Sequence, residues 1–143
     1  MPGFHLHHIG VAVKDLTGSS AEYMEKFGYD LLGPVVHDKI QTAYIQLLSL
    51  EKNGLLLELV APDGPASKLA NALKKGGGLN HICYACPDIA EALRILRAKK
   101  MLVVSPPQPS AAFTGCQVAW VMGLDGIPVE LLQLAADEDI QAE

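Results

Sequence analysis

His8 and His81 occupy matching places in two related segments, His8-Ile-Gly-Val-Ala-Val-Lys-Asp15 and His81-Ile-Cys-Tyr-Ala-Cys-Pro-Asp88. His81 follows His8, and Asp88 follows Asp15, by 73 residues. A second pair keeps nearly the same interval: Glu58 in Leu57-Glu58-Leu59-Val60 and Glu130 in Val129-Glu130-Leu131-Leu132 are 72 residues apart. Two imidazoles and two carboxylates form a donor set for one divalent cation. They suit Zn, Ni, Co or Mn, with Fe(II) ranked below these, and they leave positions open for water or substrate oxygens.

The surroundings of the carboxylates sharpen this reading. A carboxylate buried without a partner costs several kcal/mol or takes up a proton, and neither Leu55 to Val60 nor Ile127 to Leu134 contains a basic residue. A bound cation resolves that cost at both glutamates. The competing explanation is a set of satisfied core polar groups, which would have to recur at equivalent positions in both halves. His5 and His7 have Gly78 and Asn80 at the equivalent positions of the other half, so they are read as solvent or packing residues.

The elements that must position these side chains follow a repeated pattern. His5 to Val13 reads as a strand with Leu6, His8, Gly10 and Ala12 on one face and Ile9, Val11 and Val13 on the other, because strand side chains alternate. The branched residues suit the side that packs on helices, leaving His8 on the concave side. The same parity places His81, Cys83 and Ala85 on the concave side and sets Glu58 and Glu130 out of step with their leucine and valine neighbours. A helix is expected over Ser19 to Phe27, with Ser20, Tyr23, Met24 and Phe27 on one face and Gly28 as its stop. Strands follow over Leu31 to Val36, Ile40 to Leu50 and Leu55 to Val60, the last two joined by the turn Lys52-Asn53-Gly54.

A short crossover helix over Ser67 to Lys75, closed by Gly76-Gly77-Gly78, leads to the second half. Those glycines end a helix and no Lys-Ser/Thr follows, so they are read as a stop rather than a phosphate cradle. Asn80 to Cys86 is a strand, and Asp88 with Glu91 opens a helix with Ile89, Leu93 and Leu96 buried. Strands around Val103-Val104, over Gln117 to Met122 and over Ile127 to Leu134 complete the pattern. The expected domain is single, over residues 1–135: module 1 at about 4–62, crossover at about 63–78, module 2 at about 79–134. An acidic tail over 136–143 is expected to fray.

Composition narrows the classes. Half of the 143 residues are hydrophobic, enough for one buried core. Eleven basic and sixteen acidic residues give a net charge of −5 without blocks, which disfavours nucleic acid as a partner. No apolar run approaches the roughly 18 residues of a membrane span, and the N-terminus lacks a secretory pattern; a cytoplasmic location is the expectation. Three cysteines fit a reducing compartment. Cys83 and Cys86 have C-x-x-C spacing, but three apart on a strand they point to opposite faces, so they read as packing residues.

These residues together resemble the vicinal oxygen chelate superfamily, which includes glyoxalase I, extradiol dioxygenases, bleomycin-resistance proteins and methylmalonyl-CoA epimerase. The likeness extends from about His5 to Gln133 and is carried by the His8 and Glu58 segments, Phe27-Gly28-Tyr29, Gly78-Leu79-Asn80-His81-Ile82 and Val129-Glu130-Leu131. It implies an α+β fold of two βαβββ modules forming a cupped mixed sheet. It further implies a metal held by His8, Glu58, His81 and Glu130, and a homodimer. Asp38 to Ile45 and Pro62-Asp63-Gly64-Pro65 look most like the methylmalonyl-CoA epimerase branch. That branch commonly carries serine at Gly64 and histidine at Asn80, and its second acid is expected on Ile40 to Leu50, which contains no Asp or Glu.

The implied chemistry is proton removal beside a carbonyl, by an isomerase or epimerase or by a glyoxalase-type lyase. The substrate is a small acyl thioester or 2-oxo compound chelated to the metal. By resemblance Glu130 is the base, with Glu58 opposite. Gln41 is a candidate substrate contact, with Tyr44 read as facing the helices. The loop Pro106 to Gly115 is read as a rim that brings Phe113 to the pocket, and Trp120 is read as core. Lys68, Lys74 and Lys75 are read as a solvated face. Two other classes remain open: a binding protein that sequesters an antibiotic without catalysis, and an Fe(II) dioxygenase.

Overall fold

Eight strands hydrogen-bond into one mixed sheet in the order β2-β3-β4-β1-β5-β8-β7-β6. The computed structural model describes residues 3–52 and 54–134, so the expected acidic tail lies outside the described residues. Module 1 is β1 (His5–Ala12), α1 (Leu16–Phe27), β2 (Asp30–Asp38), β3 (Ala43–Ser49) and β4 (Leu56–Pro62). After the crossover helix α2 (Ala70–Lys74), module 2 repeats the order: β5 (Gly78–Cys86), α3 (Ile89–Ala98), β6 (Val103–Pro109), β7 (Gln117–Met122) and β8 (Pro128–Gln133). The expected pair of βαβββ modules is present.

Each module is a meander of three antiparallel strands whose last member runs parallel to the module's first strand, β4 beside β1 and β8 beside β5. The modules join where β1 and β5 pair antiparallel. The two histidine-bearing strands therefore form the centre of the sheet, and the two glutamate-bearing strands flank them.

Local chemistry sets the helix ends. Asp15 caps α1 by accepting from the Gly18 N–H at 3.2 Å, so the helix begins three residues before the expected Ser19. Gly28 ends it in the left-handed region at φ 80°. On the expected face, Ser20 is buried and donates to the Leu16 carbonyl at 2.7 Å, whereas Phe27 is exposed. Asp88 caps α3 through the Glu91 N–H at 3.1 Å, but the Glu91 carboxylate turns to Arg94. Only half of the capping box is made.

Two further corrections concern strand limits. The prolines at 106, 107 and 109 belong to β6, an edge strand where a missing N–H is tolerated. The loop proper is residues 110–116. Ile40 to Thr42 is a turn ahead of β3 rather than part of it.

Packing separates the two faces of the sheet. On one, Ile89, Ala92 and Leu93 of α3 pack with Ala119, Val121 and Leu131 of the sheet. The other carries apolar groups at both ends, Leu47, Leu56, Cys83, Phe113 and Leu132 at one and Ala12, Ala43, Ile45, Val60 and Leu69 at the other. The four polar candidates lie between these groups by strand parity.

Candidate metal centre

The pairing of β1 with β5 brings His8 and His81 together, their Nε2 atoms 3.3 Å apart. The register sets Gly10 opposite His81 and Cys83 opposite His8. A Cβ built on Gly10 would stand inside the His81 imidazole, so glycine is required there by the ring lying over it. Cys83 takes the equivalent place beneath His8.

The glutamates arrive from the flanking strands, Glu58 beside Gly10 and Glu130 beside Cys83. His8 Nε2 lies 3.0 Å from Glu130 Oε1 and 3.4 Å from Glu58 Oε2. His81 Nε2 lies 3.2 Å from Glu58 Oε1 and 3.7 Å from Glu130 Oε1. Each histidine thus has its nearest carboxylate in the opposite module. All four side chains are buried, and donor atoms of His8, His81 and Glu130 fall within 4.8 Å of one another.

Two of the four, His8 and Glu58, feel their neighbours strongly. Burial opposes a charge on His8, but Glu58 and Glu130 outweigh it and raise its pKa. Burial likewise opposes a charge on Glu58, yet His8 and His81 hold its carboxyl down to about 2. Glu58 Oε1 nonetheless makes no hydrogen bond of good geometry. A buried carboxylate oxygen without a partner on Glu58 and two imidazoles with converging nitrogens fit a divalent ion. The Cys83 thiol, beside His8 in the pairing of β1 with β5, is pushed up by burial and by the adjacent glutamates.

His7, expected as a solvent or packing residue, is fully buried. A register irregularity between Leu6 and His8 breaks the strict alternation of β1 and turns both consecutive histidines inward. His7 Nδ1 is 2.7 Å from His8 Nδ1, and its ring packs edge-on against Phe113 with centroids 4.9 Å apart. Burial, reinforced by His8, holds the His7 pKa down to about 3. In the second module Asn80 Oδ1 lies 2.8 Å from His81 Nδ1.

The centre opens into a cavity lined by Glu58, Glu130, Asp38, Gln41, Phe113 and Trp120. Its volume is about 20 Å³, room for about one water by the usual threshold of about 10–15 Å³. Phe113 closes it, 5% exposed and stacked on His8 at 5.9 Å. A groove of about 490 Å³ adjoins it and shares Ile40, Gln41 and Trp120, with Lys68 and Asn80 at its sides. That size is in the range of small-ligand sites, about 300–1,000 Å³.

Gln41 and Phe113 therefore line the cavity, as expected. Trp120 is a correction: it stands opposite Glu130 across β7 and β8 and meets His81 edge-on at 5.0 Å. Tyr44 lies between Ala43 and Ile45 on the helix side of β3, as expected, but it is exposed, its ring tilted against His37 at 4.6 Å. Lys68, read as solvated, donates from Nζ to the Ile40 carbonyl at 2.8 Å. Asp38 was missed altogether. It is buried at the end of β2, where Oδ1 accepts from the Ile40 and Gln41 N–H groups and Oδ2 accepts from Gln41 Nε2 at 2.7 Å. An acid thus lines the cavity two residues before Ile40, tied to a cavity glutamine; Asp38-x-x-Gln41 is the signal that could have found it.

Comparison with known proteins matches the fold. The profile of the Glyoxalase/Bleomycin resistance protein/Dioxygenase superfamily covers residues 7–120. The mitochondrial methylmalonyl-CoA epimerase of Dictyostelium discoideum is 31% identical over 132 residues, 88% of this chain and 76% of that protein. The ethylmalonyl-CoA/methylmalonyl-CoA epimerase of Cereibacter sphaeroides is 29% identical over 133 residues, 90% of this chain and 97% of that protein. Among solved structures, a hypothetical protein from Bacillus halodurans superposes with TM-score 0.81 at 25% identity, covering 95% and 98% of the two chains. A methylmalonyl-CoA epimerase variant of Streptomyces coelicolor, in complex with 2-nitronate-propionyl-CoA, has the same fold with TM-score 0.79 at 22% identity, covering 92% of this chain and 96% of that one. With two βαβββ modules, paired histidines and glutamates across the module joint, and this profile over most of its length, the chain belongs to the Glyoxalase/Bleomycin resistance protein/Dioxygenase superfamily.

Proposed function

We propose that the protein is a metal-dependent epimerase that moves a proton on the carbon beside the carbonyl of a small acyl-CoA thioester of the methylmalonyl type. The observation that carries this is the meeting of His8, Glu58, His81 and Glu130 at a cavity that also holds a separate acid, Asp38. The two epimerases similar to it over most of its length support the substrate class. They favour the isomerase half of the sequence expectation over the lyase half. Intact donors weigh against sequestration without a metal, and a fourth ligand, Glu58, crowds the two-histidine, one-carboxylate site of an Fe(II) oxygenase.

His8, Glu58, His81 and Glu130 would hold one divalent ion, Zn, Ni, Co or Mn, whose Lewis acidity would stabilise negative charge developing beside the reacting carbon. Glu130 is the group to take that proton. It is the less buried of the two glutamates and lines the cavity. Glu58 stands opposite, and its low pKa keeps it anionic.

Inversion of a stereocentre needs a proton delivered to the face opposite the one deprotonated. Asp38 is the carboxyl group we assign to that face, taking a proton from solvent before delivering it; Gln41 Nε2 orients it by donating to Oδ2, and Gln41 lines both cavity and groove. Phe113 covers the acyl portion and excludes water. With room for only about one water beneath it, the loop over residues 110–116 must shift to admit substrate. A homodimer in the cytoplasm completes the proposal. Among the described residues no helix is long and apolar enough to cross a membrane.

The deciding experiment incubates metal-loaded protein with single-enantiomer methylmalonyl-CoA in deuterated water. Deuterium at the carbon beside the thioester, together with loss of optical purity, is the expected result. Absence of both with Zn, Ni, Co and Mn in turn overturns the proposal. Metal analysis of protein purified without chelators separates the other classes: no metal favours sequestration and iron favours oxygenase chemistry.

A further inference from the structure

A histidine that ligates a metal through one ring nitrogen has its other nitrogen fixed by an outer hydrogen-bond partner. In module 2 that partner is Asn80, whose Oδ1 lies 2.8 Å from His81 Nδ1. An amide oxygen only accepts, so His81 carries its proton on Nδ1 and turns the Nε2 lone pair toward Glu58 and Glu130.

The residue before His8 is His7. It precedes Asn80 by 73 residues, the interval that separates the two ligand histidines themselves. Asparagine and histidine share no obvious likeness in a sequence, yet the structure gives them the same relation to the next residue. His7 Nδ1 is 2.7 Å from His8 Nδ1, a distance at which two bare lone pairs would repel, so one of the nitrogens carries a proton. With His8 offering its Nε2 lone pair to a cation, the proton is on His8 Nδ1. His7 Nδ1 is then the acceptor, and the His7 proton sits on its own Nε2.

Burial removes other reasons for a histidine at this place. His7 is 0% exposed, and its Nε2 has no hydrogen-bond partner among the described residues. Its ring lies against Phe113, a contact that an aliphatic side chain would make with no polar atom to desolvate. The hydrogen bond its polarity makes is the one to His8. The strand irregularity that turns it inward also belongs to this function, because regular alternation would have pointed residue 7 away from residue 8.

We propose that His7 is a positioning residue that does for His8 what Asn80 does for His81: it accepts the Nδ1 proton, selects the tautomer that frees Nε2, and holds the ring in the plane the centre requires. This rests on the metal reading of the site given above. Two modules of one chain thus solve the same problem with different side chains, a carbonyl oxygen in one and an imidazole nitrogen in the other.

The test compares Co(II) affinity, followed by visible absorption, for the unsubstituted protein, His7→Leu and His7→Asn, with thermal unfolding as a check on folding. His7→Leu should bind Co(II) about 10–100-fold more weakly, and His7→Asn should restore affinity to near the parent value because it copies the other module. Equal affinity of His7→Leu and parent overturns the proposal, as does a loss in His7→Asn as large as in His7→Leu. If His7→Leu does not fold, ¹⁵N NMR of the Zn-loaded parent decides: His7 protonated at Nε2 and bare at Nδ1 supports the role, and a proton on His7 Nδ1 overturns it. A parent protein that binds neither Co(II) nor Zn overturns the metal reading and this role with it, so the two failures are distinct.

Discussion

The imidazole of His81 fills the space that a side chain on Gly10 would need, directly across the β1–β5 pair. Gly10→Ala is therefore a steric test of the centre from outside its donor set. The added methyl must push the His81 ring away from Glu58, now 3.2 Å from its Nε2. Metal affinity should fall, and overpacking should cost about 1–3 kcal/mol of stability. Calorimetric metal titration and denaturant unfolding measure both; unchanged metal affinity would show that the ring position does not matter.

Glu130→Gln keeps the size of the side chain and removes its basicity. Turnover in the deuterium-exchange assay should drop about 10²–10⁴-fold, the range for a general base. Full turnover in this variant would remove Glu130 from the proton-transfer step.

Asp38→Asn separates the two halves of an inversion. If Glu130 takes the proton on one face and Asp38 serves the other, the variant should still exchange the proton of one enantiomer with solvent while conversion to the other enantiomer slows. Following isotope content and optical purity in the same sample reads this directly. Equal slowing of both would leave Asp38 as a turn-forming residue that merely orders Gln41.

The acid sensitivity of the metal-free protein should depend on His7. Burial first, and the charge of His8 second, hold its pKa at about 3 against an ordinary 6.5. Between those values the unfolded chain binds a proton that the native chain refuses, so stability is full above 6.5 and is lost as the pH falls toward 3. The raised pKa of His8 acts on the alkaline side of 6.5, outside this window, and that of Glu58 acts between 4.5 and about 2. His7→Asn should flatten the dependence between about pH 6.5 and 4.5, as measured by urea unfolding at a series of pH values. An unaltered slope would contradict the assignment.

Phe113→Ala should enlarge the roughly 20 Å³ cavity and relax its selectivity toward bulkier acyl groups. Competition between acyl-CoA esters of increasing branch size would show it, and unaltered selectivity would mean that Phe113 only packs.

What could be read from the sequence depended on periodicity. The repeat around His8 and His81 was enough to pair the modules, and strand parity was enough to turn Glu58 and Glu130 to the same side. His7 escaped because the irregularity before His8 is a property of the β1–β5 pairing, invisible in either strand alone. Asp38 escaped because it reaches the cavity from a strand end, just before a turn in which Thr42 adopts φ 55°. Trp120 became a neighbour of His81 only through the sheet order that sets β7 against β8 and β8 against β5. The proline run misled for a physical reason: an edge strand tolerates prolines that a central strand would not.

The nearest carboxylate to each histidine comes from the other module, Glu130 to His8 at 3.0 Å and Glu58 to His81 at 3.2 Å. A half-length chain carrying one histidine and one glutamate would therefore have no complete centre of its own and could build one only by pairing with a second copy. Joining the halves in a single chain frees them from identity. Each can then specialise, as Gly10 has against Cys83 and His7 against Asn80, and such asymmetry is what a site needs if it is to treat the two faces of a substrate differently.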